Sequence, residues 1–112
     1  MLNYDQYSIF VHRDKVDFRK SIDGLLAIVQ HEMLLDPFKK FLFLFRNQRR
    51  DKIKILYWDN SGFALWYKRL EKEKFPWPIK CEDKTLSISK KQFEWLLKGI
   101  DYWKLKPHNN LF

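Results

Sequence analysis

The sequence predicts an α+β domain: an antiparallel β-meander sheet with two helices packed on one face. Three observations carry that expectation. Phe41 to Phe45, Ile53 to Trp58 and Phe63 to Tyr67 are short apolar runs rich in Phe, Ile, Tyr and Trp, residues that fit a pleated, half-buried surface. Their connectors, Arg46-Asn47-Gln48-Arg49-Arg50-Asp51 and Asp59-Asn60-Ser61-Gly62, join antiparallel neighbours but are too short for a parallel crossover. Two apolar stripes at helical spacing flank the runs: Phe18, Ile22, Leu25, Leu26, Val29 and Met33, then Phe93, Leu96, Leu97 and Ile100.

Taken in order, residues 1 to 6 read as a loose end, Tyr7 to Val11 as a short strand and His12 to Lys15 as a turn. Asp17 is expected to cap the first helix, where its carboxylate accepts orphan N–H groups. Gly24 inside that helix costs about 1 kcal/mol against Ala, which suggests close packing on the sheet. Asp36-Pro37 ends the helix, because the residue before proline avoids the α region.

The run Phe41 to Phe45 is apolar on both faces and so belongs in the middle of the sheet, covered on both sides. In the next strand Lys52, Lys54, Leu56 and Trp58 share one face, and Ile53, Ile55 and Tyr57 the other. The third alternates weakly, Phe63, Leu65 and Tyr67 against Ala64, Trp66 and Lys68. A mixed outer surface of Trp58, Trp66, Lys54 and Lys68 is expected. In the second connector Asp59 and Asn60 bond their own backbone, and Gly62 reaches positive φ without steric cost.

Glu71 to Lys74 is a solvated charge run. In Phe75-Pro76-Trp77-Pro78 two prolines forbid a regular ladder and favour a stiff extended segment, with Trp77 expected as its packing anchor and binding of a base or ligand as the alternative. Thr85 to Ile88 is a strand. Ser89 and Gln92 make a capping box, and Ile88 with Phe93 a hydrophobic staple. Gly99 stops the helix. The tail carries Tyr102, Trp103, Leu105 and Pro107; its start is expected to pack and its end to be disordered. With 112 residues and no linker, the chain reads as one domain, 1–112, with a core of about 7–103 and loose termini.

Lys and Arg number 22 and Asp and Glu 14, a net charge of +8. A small basic chain with 18% aromatic residues suits a nucleic-acid partner. No apolar run approaches the ~20 residues of a membrane helix, so no membrane partner is expected. The N-terminus lacks the regions of a signal peptide, and Cys81, alone, makes no internal disulfide. Both fit a reducing cytoplasm.

No catalytic constellation is visible. His12, His31 and His108 lack zinc-ligand spacing, and Cys81 sits in no nucleophile signature. Gly24, Gly62 and Gly99 are too scattered for a phosphate cradle. Asp51 and Asp59 stand at opposite ends of one strand, ~20 Å apart, too far to share metal ions. No enzyme, cofactor or metal is expected.

The best candidate site is the basic connector and its strands: Arg46, Arg49, Arg50, Lys52 and Lys54, with Lys68 and Arg69 at the end of the third strand. Arg contacts phosphates bidentately, and a hairpin with a basic tip can enter a groove. The bland reading is that these charges only keep strand edges from aggregating. Two further functional readings stand beside DNA binding. One is a small metal-independent RNA-cleaving nuclease of the toxin type, using Arg50, Lys54, Tyr67 and Arg69. The other is a purely protein-binding module using exposed Trp and Phe.

Several blocks resemble a known family in the same order. Val16-Asp17-Phe18-Arg19-Lys20-Ser21-Ile22-Asp23-Gly24-Leu25 resembles V-D-M-R-K-G-F-D-G-L of the TnpB (Orf2-like) accessory proteins of bacterial insertion sequences of the IS66 family. Asp36-Pro37-Phe38 resembles their D-P-F, and Leu44-Phe45-Arg46-Asn47 their F-V-F-R-N. Asp51-Lys52-Ile53-Lys54-Ile55-Leu56-Tyr57-Trp58-Asp59 resembles D-R-I-K-L-L-Y-W-D. Gly62-Phe63 with Leu65-Trp66-Tyr67-Lys68-Arg69-Leu70-Glu71 resembles G-F-x-L-W-Y-K-R-L-E. Phe75-Pro76-Trp77-Pro78 resembles F-x-W-P, and Leu97-Lys98-Gly99-Ile100-Asp101 resembles L-L-x-G-I-D. The resemblance spans roughly Val11 to Trp103. It implies an accessory protein of transposition whose partners are DNA at the insertion-sequence ends, the separate transposase and other element-encoded proteins. It supplies no catalytic residues. Asn47-Gln48-Arg49-Arg50 stands where relatives often carry a Gly-Arg-Arg-Gly type loop, which keeps the charge and changes the flexibility.

Overall fold

Leu42, Phe43, Leu44 and Phe45 are all fully buried. Successive strand side chains point to opposite faces, so four buried neighbours in a row require a covering layer on each side of the sheet. The structure, a computed structural model that describes residues 3–101, supplies both layers.

The elements are β1 (Ser8–His12), α1 (Ile22–Ile28) running into a π-helical turn (Val29–Met33), β2 (Phe41–Arg46), β3 (Lys52–Trp58), β4 (Phe63–Arg69), β5 (Thr85–Ile88) and α2 (Lys90–Leu97). They form one sheet in the order β4-β3-β2-β1-β5. The β2-β3-β4 meander is antiparallel, as expected. β1 lies parallel to β2, and β5 antiparallel to β1. The parallel pair is possible because α1 lies between β1 and β2 in the chain and provides the crossover that a short turn cannot. The result is an α+β fold on a mixed, mostly antiparallel sheet.

The two helices do not share a face, which corrects the expected arrangement. Leu42, Leu44, Ile53 and Ile55 pack with Ile9, Val11, Ile88, Phe75, Trp77 and the α2 residues Phe93 and Leu96. Phe43, Phe45 and Leu56 pack with Val16, Leu25, Ile28, Val29 and Met33, the α1 side. A helix stripe shows how wide an apolar face is but not which side of a sheet it meets. The doubly apolar β2 holds the needed signal, since one face cannot be left bare.

Both ends of α1 also differ from the sequence reading. Its N-cap is Ser21, whose side chain makes no capping bond. Asp17 instead folds its own turn: its Oδ1 accepts from the Arg19 N–H at 2.9 Å, and its carbonyl accepts from the Lys20 N–H at 3.0 Å. The helix stops at Leu34, which is left-handed at φ 57°, before Asp36-Pro37 is reached. Gly24 faces the segment that leads into the helix rather than the sheet, since a Cβ there would stand 3.1 Å from the Lys20 side chain.

α2 follows its sequence signals. Ser89 accepts from the Gln92 N–H, and the Gln92 side chain accepts from the Ser89 N–H. At the other end Gly99 is left-handed at φ 77°. Its N–H donates to Leu96 O and that of Ile100 to Trp95 O, the paired bonds of a Schellman stop. In the β3–β4 turn, Asp59 Oδ1 accepts from Ser61 N, Ser61 Oγ and Gly62 N. The left-handed residue there is Asn60, at φ 76°, and not Gly62. Tyr4 packs edge-on against Phe93, so the packed region begins before Tyr7. The tail residues Tyr102, Trp103, Leu105 and Pro107 lie outside the described residues.

Phe75 to Pro78 is buried throughout. Trp77 Nε1 donates to His12 O at 2.9 Å, fastening this segment to the end of β1. Trp77→Phe is therefore expected to cost about 1–2 kcal/mol, the loss of a buried donor. Trp77→Ala should cost about 3–5 kcal/mol, since it also leaves a cavity. Urea denaturation should show lower midpoints in that order with an unchanged m-value.

Candidate nucleic-acid interface

The β2–β3 connector is held by its own side chains. The Asn47 side chain donates to Asp51 Oδ1 at 2.6 Å and accepts from the Lys52 N–H at 3.1 Å. The donation from Asn47 to Asp51 is the main reason the Asp51 carboxyl is held below its ordinary range. Arg50 takes the left-handed turn position at φ 59°. The carbonyls of Arg50 and Asp51 accept from the N–H groups of Phe75 and Leu70. The connector thus lies against the segment that follows β4, which brings Lys74, adjacent to Phe75, to the same corner.

The seven expected site cations divide into three groups. Arg46 Nε donates to Arg13 O at 3.0 Å, and its guanidinium reaches Asn47 O and Gln48 O. Burial, then the neighbouring Arg50 charge, lowers its pKa. Lys54 Nζ donates to Phe18 O and Lys20 O, both at 2.8 Å, and lies 4.8 Å from the Phe18 ring centre. Its pKa is lowered mainly by desolvation. Lys68 Nζ donates to Leu97 O at 3.0 Å, at the C-terminal end of α2. These three fasten the fold.

Arg69 forms an exposed pair with Glu71 at 2.7 Å. Among the described residues, no hydrogen bond or ion pair is made by the side chains of Arg49, Arg50 and Lys52. Arg49 is exposed, and Arg50 and Lys52 are half-exposed.

The strand register decides which groups share a face. Lys52 pairs with Arg69, Lys54 with Tyr67, Leu56 with Leu65 and Trp58 with Phe63. All eight lie on the α1 side. Trp66 and Lys68 pair with Ile55 and Ile53 on the α2 side. Trp58, Trp66, Lys54 and Lys68 therefore do not form one outer surface. Trp66 packs against the α2-side core. Trp58 joins Phe38 and Phe63, with ring centres 4.9–5.3 Å apart, and Phe38 is 58% exposed.

The sequence reading missed three features. His12 is 3% exposed, between Asp14 O at 2.8 Å and Glu32 Oε1 at 3.3 Å. Arg13 ties β1 to the segment before β5 through Cys81 O and Glu82 O. The aromatic cluster of Phe38, Trp58 and Phe63 joins residues far apart in the chain, so no local pattern announces it. Among the described residues, no group of His, Cys, Asp and Glu has the makings of a metal site, and no helix is long and apolar enough to cross a membrane.

Comparison with known proteins agrees with the blocks seen in the sequence. The model of the family described as IS66 Orf2-like protein matches residues 7–107. Two Sinorhizobium fredii proteins are similar, and both are described only as uncharacterised. One, y4jC, is 39% identical over 98 residues, covering 88% of this chain and 83% of its own. The other, y4hO, is 32% identical over 94 residues, covering 84% and 81%. No solved structure matches.

The division of the cations is testable by stability. Lys54→Met keeps the stem and loses two carbonyl contacts, so it should cost about 1 kcal/mol after allowance for partial exposure. Arg49→Ala should stay within about 0.5 kcal/mol. Thermal melts should separate them by roughly 4–8 °C.

A pH dependence also follows. The Arg19 side chain, bonded to the Asp17 carboxyl, holds it at about 2 against an ordinary 3.8. A depressed carboxyl stabilises the fold above its unfolded pKa, and that contribution fades as pH falls from about 4 to about 2. Asp17→Asn should flatten that part of the acid denaturation curve.

Proposed function

The chain belongs to the IS66 Orf2-like family, a family of transposition accessory proteins, and from that premise we propose a non-enzymatic accessory that binds DNA at insertion-sequence ends and bridges it to the transposase. The reading places it in the bacterial cytoplasm. One observation carries the DNA contact: Arg49, Arg50 and Lys52 gather at a single corner of the sheet, and among the described residues their side chains make no hydrogen bond or ion pair, while the charges of Arg49 and Lys52 act on the Asp51 carboxylate. Cations already bonded to carbonyls are poor phosphate ligands, because each contact would first break a native one.

The bridging reading draws on the opposite end of the same strands. β3 runs from Lys52 to Trp58, which separates the basic corner from the Phe38–Trp58–Phe63 cluster by ~20 Å. An exposed aromatic group at that distance leaves room for a protein partner while DNA occupies the corner.

The nuclease reading has one supporting observation, the cross-strand pairing of Lys54 with Tyr67 next to Lys52 with Arg69. Against it, the Lys54 ammonium is already bonded to two carbonyls. Incubation with RNA and DNA without metal tests it directly. Cleavage that disappears in Lys54→Ala would replace the accessory reading.

Fluorescence anisotropy with element-end DNA at several salt concentrations tests the contact. Each phosphate contact contributes a slope of roughly −0.9 in log affinity against log salt. The double variant Arg49→Ala, Arg50→Asn should flatten the slope by about two units. Asn tolerates the left-handed turn that Arg50 occupies. An unchanged slope would remove the corner as the site. A wild-type protein that binds no DNA even at low salt would leave only the protein-binding role.

A further inference from the structure

The basic corner continues onto a face that carries an open aromatic ring. Tyr67 stands on the α1 side of the edge strand β4, opposite Lys54 and two residues along the ladder from the Lys52–Arg69 pair, the next pair on that face. It is 49% exposed. The half-buried Phe18 ring stands behind it, 6.3 Å between centres and tilted by 55°. Phe18 is fixed in turn by the Lys54 ammonium and by its packing on the α1-side core. Arg19, next in the chain, has a side chain 92% exposed.

A lone exposed aromatic residue needs no special explanation. This one differs in its setting: it is backed by a held ring, flanked by cations and continuous with the Arg49–Arg50–Lys52 corner. A duplex offers phosphates to such a surface but keeps its base faces stacked inside. An unpaired strand offers both phosphates and base faces, which is the complement of a cationic surface with an aromatic platform.

We propose that this surface takes single-stranded nucleic acid, with phosphates on Arg49, Arg50 and Lys52 and one base stacked on Tyr67. The inference rests on the nucleic-acid reading above and narrows it to unpaired or melted strands. Tyr67 contributes its ring face, so its hydroxyl is dispensable while its aromaticity is not.

The test uses the full chain and one 20-nucleotide mixed sequence, prepared as single-stranded DNA, single-stranded RNA and DNA duplex, each fluorescein-labelled. The expected result is tighter binding of at least one single strand than of the duplex at equal salt. Tyr67→Leu should weaken single-strand binding roughly five- to hundredfold, the range for loss of one stacked base. Its duplex binding should stay the same. Tyr67→Phe should bind like wild type. As a second measurement on the unaltered protein, 5-iodouracil placed along the strand should photocrosslink to Tyr67.

A duplex bound as well as either strand, with Tyr67→Leu without effect, would overturn the inference and leave the DNA-binding reading standing. Equal losses in Tyr67→Phe and Tyr67→Leu would overturn stacking. Binding of neither form at low salt would instead remove the underlying reading. Photocrosslinks confined to other residues would overturn the placement even if the leucine variant failed to fold.

Discussion

The constraint on which the rest of the molecule depends is the burial of β2 on both faces. Phe41-Leu42-Phe43-Leu44-Phe45 cannot leave either side wet, at roughly 1.5–3 kcal/mol for each large side chain buried. One face receives α1 and its π-helical turn, and the other α2 with the Phe75–Pro78 segment. The parallel β1 neighbour follows from the same demand. A helix that covers one face between two strands returns the chain in the same direction, so α1 both shields β2 and sets β1 beside it. The far face then has to be closed by the C-terminal half of the chain. There β5 extends the sheet beside β1, and the capped α2 follows directly from it.

That layering also explains why the basic residues fall into different roles. Lys54 sits where the approach to α1 crosses β3, and its ammonium satisfies two carbonyls of a segment that has not yet become helix. Lys68 does the same for a carbonyl at the end of α2, where a cation also suits the negative helix end. Arg46 binds the carbonyl of Arg13 where β1 ends. Each is a cation at a place where the backbone has carbonyls without partners. The connector between β2 and β3 differs because Asn47 and Asp51, with Arg46 on two of its carbonyls, complete its turn without the side chains of Arg49 and Arg50. Arg49 and Arg50 therefore project charge from a loop that does not need it for folding.

Much of this was legible in the sequence where the signal is local. The Ser89–Gln92 capping box, the Gly99 stop and the meander strands depend on residues within a few positions of each other, and the structure contains them. Trp77 was legible as an anchor, and its burial with Nε1 donating to His12 O decides for that reading over the binding of a base or ligand. The misreadings share a different cause. Which face α1 covers, whether Lys54 is free, and whether Trp58 and Trp66 share a side all depend on contacts between distant segments. Asp17 shows the limit within one turn: an Asp before a helix can cap it or close its own turn on Arg19, and the sequence does not choose. The candidate site was legible as a charged stretch, but not as a division between cations that hold carbonyls and cations whose side chains make no such bond.

The sheet gives those cations a fixed relation to the aromatic groups. Cross-strand register in β3 and β4 places Tyr67 beside the basic corner and Trp58 with Phe63 at the far end, on one face. A register slip of one residue would send every one of these side chains to the other side. What prevents it is the burial of Ile53, Ile55 and Leu56, which lock alternate positions of β3 into opposite cores. The spacing between the two ends is thus set by the same packing that stabilises the fold. In the proposed role, with nucleic acid at one end and a protein partner at the other, the strand pair would act as the spacer, and a strand pair with both faces anchored is stiffer than a loop. The family match over residues 7–107 takes in both ends of the sheet and both covering layers, so the family is defined by the whole packed domain and not by the basic hairpin alone.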